Sequence, residues 1–160
     1  MIRKYIEGDL DQCMELWRDF DRVHLEASSY FFRQPSEEEM FARHNKYAAS
    51  KDSLIVVSDE GHLLSGFIAG VFRMTPQVNL LRDRKILDIH ALSVLPGYQD
   101  RKTALGLFDF IFNLAKKEGV LDVEGSIWAF NEKAMSFVEK IGFKVQSRKY
   151  GYHLEGKGLE

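Results

Sequence analysis

The hydrophobic period changes midway along the chain, and that change restricts the fold more than any single motif does. Residues 53–58 and 63–74 are nearly continuous apolar runs. They are joined at Asp59-Glu60-Gly61, a hairpin signal. Residues 84–94 read as a further strand. A helical stripe then follows on Ala104, Leu107, Phe108, Ile111, Leu114 and Ala115, and Gly119 stops it. Residues 120–128 read as another strand. Asn131 caps a last helix with the face Ala134, Phe137, Val138 and Ile141, and Gly142 ends it. Residues 143–154 are expected to supply one or two closing strands.

The first fifty residues add a short strand at 2–6 and two helices. Asp9 with Gln12 and Ser36 with Glu39 have capping-box spacing. The stripes are Leu10, Cys13, Met14, Trp17 and Phe20, then Met40, His44, Tyr47 and Ala48. Between them, residues 24–34 look aromatic and irregular. Antiparallel strands come first and strand–helix–strand units last. The order predicts an α/β (α+β) domain with a mixed central sheet of six to seven strands and helices on both faces.

A chain of 160 residues is expected to form one domain, 1–160, with a full core. The net charge of −2 gives no general attraction for nucleic acid or an anionic membrane. Cys13 is the one cysteine, and the five histidines lack ligand spacing, so no metal is expected. The polar N-terminus and the lack of a long apolar run place the protein in the cytoplasm.

The segment Val94-Leu95-Pro96-Gly97-Tyr98-Gln99-Asp100-Arg101-Lys102-Thr103-Ala104 joins a strand to a long helix. The first N–H groups of a helix lack intrahelical partners, and the macrodipole is positive there. Arg101 and Lys102 at that end conflict with the dipole unless a polyanion docks. A solvated turn is the plainer alternative.

Val94-x-Pro96-x-Tyr98-Gln99 with Ala104, ahead of a helix ending at Lys116-Lys117-Glu118-Gly119, resembles the acetyl-CoA signature of the GNAT N-acetyltransferases. Trp128-Ala129-Phe130-Asn131-Glu132-Lys133-Ala134 and Phe137-Val138-Glu139-Lys140-Ile141-Gly142-Phe143 resemble the second segment of that family. The resemblance implies the GNAT acyl-CoA N-acyltransferase fold. It also implies transfer of the acetyl group of acetyl-CoA to a primary amine, of a small molecule or a peptide, by direct attack. The main chain of Gln99, Asp100, Arg101, Lys102, Thr103 and Ala104 would hold the pyrophosphate. Leu92, Val94 and Asn131 would hold the pantetheine arm. Family analogy implies a homodimer.

Three positions depart from the family. Asp100 stands where the family has a small residue after Gln99, and its negative charge would repel pyrophosphate if it pointed inward. Lys102 stands where the family has glycine, though lysine can still adopt helical angles. Val138 stands where many members have the tyrosine that protonates the thiolate. Tyr150 and Tyr152, on the expected closing strands, are candidate substitute donors.

Asp88 and His90 lie on the strand entering the loop, and a cleft carboxylate and imidazole are candidates for taking the amine proton. Alternation puts them on one face with Leu92 and Val94 unless a bulge intervenes. Asp88 can instead be paired with Arg84 or a helix. Glu26, Tyr30 and Phe31 fall where the family places its acceptor loop. The departures also fit a non-catalytic acyl-CoA-binding or regulatory module, and beyond that an interaction domain that binds no CoA.

Overall fold

A computed structural model describes residues 1–99 and 102–155. Among them five strands form one sheet: β1 (Ile2–Lys4), β2 (Ser53–Asp59), β3 (Leu64–Met74), β4 (Lys85–Val94) and β5 (Asp122–Gly125). The helices are α1 (Leu10–Ala27), α2 (Glu37–Ala48), α3 (Thr103–Lys117) and α4 (Glu132–Lys140). Strand order follows the chain. Pairing is antiparallel from β1 to β4, and β4 pairs parallel with β5 across α3. Helices cover both faces, as the period change predicts.

Burial on both faces explains why β2 and β3 are apolar throughout. Ile55, Val57, Phe67 and Ala69 pack with Cys13, Leu16 and Trp17 of α1 and with Met40 and Tyr47 of α2. Their neighbours Leu54, Val56 and Ile68 pack with Leu107, Phe108, Ile111 and Ala115 of α3. Each such aliphatic side chain stabilises the fold by roughly 1.5–3 kcal/mol. Trp17 organises the first core. It stacks on Tyr47 at 5.8 Å and meets Phe67 edge-on at 4.6 Å. Its Nε1 donates to His44 Nδ1 at 3.2 Å. The partly buried Phe137, Val138 and Ile141 bring α4 onto the rim of the second core.

The capping box at the start of α2 forms although Arg33 also binds the Glu39 carboxylate. Ser36 Oγ accepts from the Glu39 N–H at 3.1 Å, and Glu39 accepts from the Ser36 N–H at 2.8 Å, as the capping box requires. The box expected at Asp9 and Gln12 does not form. Asp9 takes both arms of the Arg3 guanidinium at 2.7 and 2.9 Å, together with the Ile6 N–H. Asp9 ends a short 3-10 turn over residues 7–9 and has helical rather than extended backbone (φ −88°, ψ −4°), so its carboxylate turns back to Ile6 and Arg3 instead of capping α1. Gln12 instead accepts from the Leu64 N–H at 2.7 Å, tying α1 to β3.

Two expected boundaries move. α1 continues through Ala27, so His24 and Glu26 are helical rather than part of an irregular stretch. The strand expected at 120–128 shortens to β5, and residues 143–154 form no strand among the described residues, so five strands replace the expected six to seven. An alternating sequence needs an edge to pair with, and β5 offers four residues of it. Val145, Tyr150, Tyr152 and Leu154 are accordingly exposed. Among the described residues, no helix is long and apolar enough to cross a membrane.

Candidate active site

The site begins with a defect in the sheet. Ala69 of β3 faces Ala91 of β4, and Gly70 faces Ile89, so His90 is an extra residue bulged out of β4. Pairing of β4 with β5 stops at the same level, at Ile89 with Gly125. Beyond it the two parallel strands diverge, and the β5-facing edge of β4 lies open. Main-chain groups alternate between the two edges of a strand. The Leu95 N–H donates to Ser65 of β3 at 2.9 Å, so Leu92 and Val94 direct their carbonyls to the open edge.

The bulge also corrects the expected alternation. Leu92 and Val94 pack in the core under α3. Asp88 and His90 lie on the opposite face, beneath α1 and α2, because the extra residue at 90 reverses the order. Asp88 is not paired with Arg84. Its Oδ2 accepts from Arg73 Nε of β3 at 2.9 Å and lies 3.4 Å from His90 Nε2. His90 Nδ1 is hydrogen-bonded to the Tyr47 hydroxyl of α2 at 2.8 Å. Burial pushes the Tyr47 phenol above its usual range. Arg73, Asp88, His90 and Tyr47 thus form one polar chain across three elements. Both of its ends, Tyr47 and Arg73, help to line a cavity of about 520 Å3. Tyr47 and Arg73 escaped the sequence reading because no local spacing links them. Arg84 instead pairs with Asp122 and, at 3.1 Å, with Glu124 of β5.

At the start of α3, Lys102 has φ +60° and ψ +17°, the left-handed region, and it is the one non-glycine residue with positive φ among those described. The expectation that lysine would take helical angles is therefore corrected: the backbone here has the form that favours glycine. Thr103 follows, buried, as the first residue of α3, with Ala104 after it. Asp100 and Arg101 lie outside the described residues. Gln99 bridges the cleft: Nε2 donates to the Val94 carbonyl at 3.1 Å, and Oε1 accepts from Lys133 Nζ. Asn131 caps α4, its side chain accepting from the Ala134 N–H at 3.2 Å. Val138, partly buried, packs against the second core, so this position serves the contact between α4 and α3.

The residues expected near the acceptor separate. Glu26 is exposed on α1, 3.9 Å from Arg22. Tyr30 and Phe31 meet at 5.0 Å, and Phe31 lies 5.0 Å from Trp128, so the loop after α1 contacts the segment after β5. Phe32 meets both Trp128 and Phe130 and extends this wall to His24 of α1. Tyr150 is 82% exposed, and no hydrogen bond or ring contact joins it to Asp88 or His90 among the described residues.

The sequence matches the model of the acetyltransferase (GNAT) family over residues 11–143. No curated protein matches it. Among solved structures, the tetramutant of the BH1408 protein from Bacillus halodurans is 22% identical, with TM-score 0.87 over 96% of this chain and 99% of that one. AAC(6')-Iy in complex with the bisubstrate analogue CoA-S-monomethyl-acetylneamine is 14% identical, with TM-score 0.78 over 96% of each chain. The aminoglycoside 6'-N-acetyltransferase AAC(6')-IG from Acinetobacter haemolyticus is 16% identical, with TM-score 0.76 over 100% of this chain and 99% of that one. At these identities the structural likeness speaks for the fold. The family match covers most of the chain, including the bulged strand, α3 and the capped start of α4, and on that ground the chain belongs to the acetyltransferase (GNAT) family.

Proposed function

We propose that the protein is an N-acetyltransferase that moves the acetyl group of acetyl-CoA to a primary amine. One observation carries the reading: β4 and β5 part company where His90 bulges, which opens a main-chain edge beside a cluster of titratable side chains. The residues present fit a long diphosphate-bearing thioester. Leu92 and Val94 offer carbonyls on the open edge for the amides of the pantetheine arm, with Asn131 at its far side. The left-handed backbone at Lys102 turns the loop into α3 sharply, and Gln99 to Ala104 would hold the pyrophosphate through main-chain N–H groups. Bound there, the thioester supplies an electrophilic carbonyl carbon. Complexes of related folds with CoA-containing ligands support this choice of co-substrate.

The protein's own contribution is binding and proton handling. An amine with pKa near 10 is roughly 0.1% neutral at pH 7, so a nearby proton acceptor raises the reactive fraction. His90, at the bulge, and Asp88, beside it, would take that proton. Arg73 and Tyr47 hold the pair from behind. Tyr30 and Phe31, in ring contact with each other and with Trp128, would form the outer wall for the acceptor's carbon chain, and Glu26, apart from them on α1, would lend its negative charge only at longer range. A thiolate is a far better leaving group than an amine, so help from a proton donor raises the rate without being required, and the exposed Tyr150 would be that donor.

Thiol release measured over a panel of primary amines tests the reading. Acetyl-CoA should raise the melting temperature, at least one amine should accelerate release, and Asp88→Asn should slow it and raise the apparent pH optimum. Stabilisation by acetyl-CoA with no amine-dependent release would favour the non-catalytic acyl-CoA-binding module, for which the non-glycine residue at 102 is the supporting observation.

A further inference from the structure

We propose that Lys133 is a phosphate-binding residue of the cofactor cleft, held in reserve by Gln99, whose side-chain amide occupies the place of a pantetheine amide until the cofactor displaces it. The proposal rests on the reading that the CoA arm lies along the open edge of β4. Gln99 donates through Nε2 to the Val94 carbonyl at 3.1 Å. That carbonyl belongs to the stretch of β4 that β5 leaves unpaired. A carboxamide N–H on a strand carbonyl is the same hydrogen bond that an amide of the pantetheine arm would make. Both occupants need the same edge of one residue, so they compete.

The other end of the carboxamide points to the second partner. Gln99 Oε1 accepts from Lys133 Nζ in the first turn of α4, which brings an ammonium group to the loop expected to hold the diphosphate. A neutral amide oxygen is a modest partner for a full positive charge. A phosphate oxygen is a stronger one, because both partners are then ionised. Once Gln99 leaves Val94, Lys133 loses its partner beside that loop. Lys102, at the start of α3, stands at the other end of the same loop. Glu132, adjacent to Lys133, sits in the same first turn and is the nearest opposing charge along α4. The Gln99 carboxamide therefore stands in for the ligand, with its N–H where the ligand has an amide N–H and its oxygen on the ammonium that would take a phosphate oxygen.

Binding measurements separate the two halves of the proposal. CoA and pantetheine, which lacks phosphate, are titrated into the wild type, Gln99→Ala and Lys133→Met, by calorimetry for CoA and by NMR for the weaker ligand. Gln99→Ala keeps the loop main chain and should bind pantetheine about threefold to tenfold tighter, the effect of removing one competing neutral hydrogen bond. Lys133→Met should bind CoA about tenfold weaker and with a shallower salt dependence, while pantetheine affinity holds or rises. Equal losses for both ligands in Lys133→Met would mark the lysine as merely structural and overturn its role. Unchanged or weaker pantetheine binding in Gln99→Ala would overturn the competition. Should the wild type bind neither ligand, the functional reading falls together with this inference. If it binds CoA and both variants match it, this inference alone falls.

Discussion

At φ +60° and ψ +17°, the Lys102 backbone brings a β-carbon close to the following carbonyl oxygen. That crowding costs roughly 1–2 kcal/mol for a residue with a side chain. Glycine escapes it but loses more freedom on folding, about 0.5–1 kcal/mol. The balance favours glycine, so Lys102→Gly should stabilise the protein by up to about 1 kcal/mol. For a chain of this size that raises Tm by about 2–4 °C. A thermal melt reads it, and an unchanged or lower Tm would mean that the surrounding loop relaxes the strain. Position 102 was legible as a glycine site from motif spacing, but the sign of φ was not, because residue type sets a preference and the flanking elements set the angle. Tyr47 illustrates the opposite failure. It was read only as part of a helical stripe, and nothing in its neighbours along the chain foretells a hydroxyl 2.8 Å from His90.

The same contrast holds for elements. Ser36 and Glu39 are three residues apart, so their reciprocal bonds are written locally. Asp9 is kept from capping by the 3-10 turn that runs into α1, and the closing strands fail for want of an edge; both outcomes depend on how the neighbouring element is laid down. The bulge in β4 is the most consequential of these non-local facts, and its partner strand carries the residue that allows it. A β-carbon on Gly70 would lie 2.7 Å from the Asp88 carbonyl oxygen and 3.1 Å from Ile89 Cδ1. The nearer obstacle is backbone, so β3 and β4 must separate just below His90. Gly70→Ala should therefore destabilise the protein by about 1–3 kcal/mol, the usual cost of overpacking. It should also perturb the His90 ring resonances, since the strand that aims the ring moves. Gly8→Ala, where a β-carbon meets nothing within 4 Å, is the control and should change stability by less than about 0.5 kcal/mol. Urea denaturation of the two variants gives the comparison, and equal stability would show that β3 and β4 part at Gly70 without cost.

On the scale of the whole molecule, two sets of titrating groups shape stability in different pH ranges. His44 is buried in the first core, where Nδ1 accepts from Trp17 and Nε2 has no hydrogen-bond partner among the described residues. Burial holds its pKa below the ordinary 6.5. The folded protein therefore keeps His44 neutral while the unfolded chain takes up a proton. Above about pH 6.5 both states are neutral and this group adds no pH dependence. As pH falls below that, the unfolded state gains the proton and the folded state loses stability, with a limiting slope of about 1.4 kcal/mol per pH unit. The loss levels off below the folded-state value. The carboxylates of Asp9 and Asp59 act later. Arg3 is the main cause of the low Asp9 pKa, and the Gly61 N–H followed by Arg3 lowers that of Asp59. Their contribution is complete above the ordinary value of 3.8 and is lost as pH falls through the depressed folded values. Unfolding free energy measured by urea from pH 8 to pH 4 should thus be flat at first and decline from about 6.5. His44→Asn keeps an acceptor for Trp17 but cannot titrate. It should be less stable at pH 8 through lost packing, yet remain flat down to about pH 5. A decline in that variant as steep as in the wild type would locate the titrating group elsewhere.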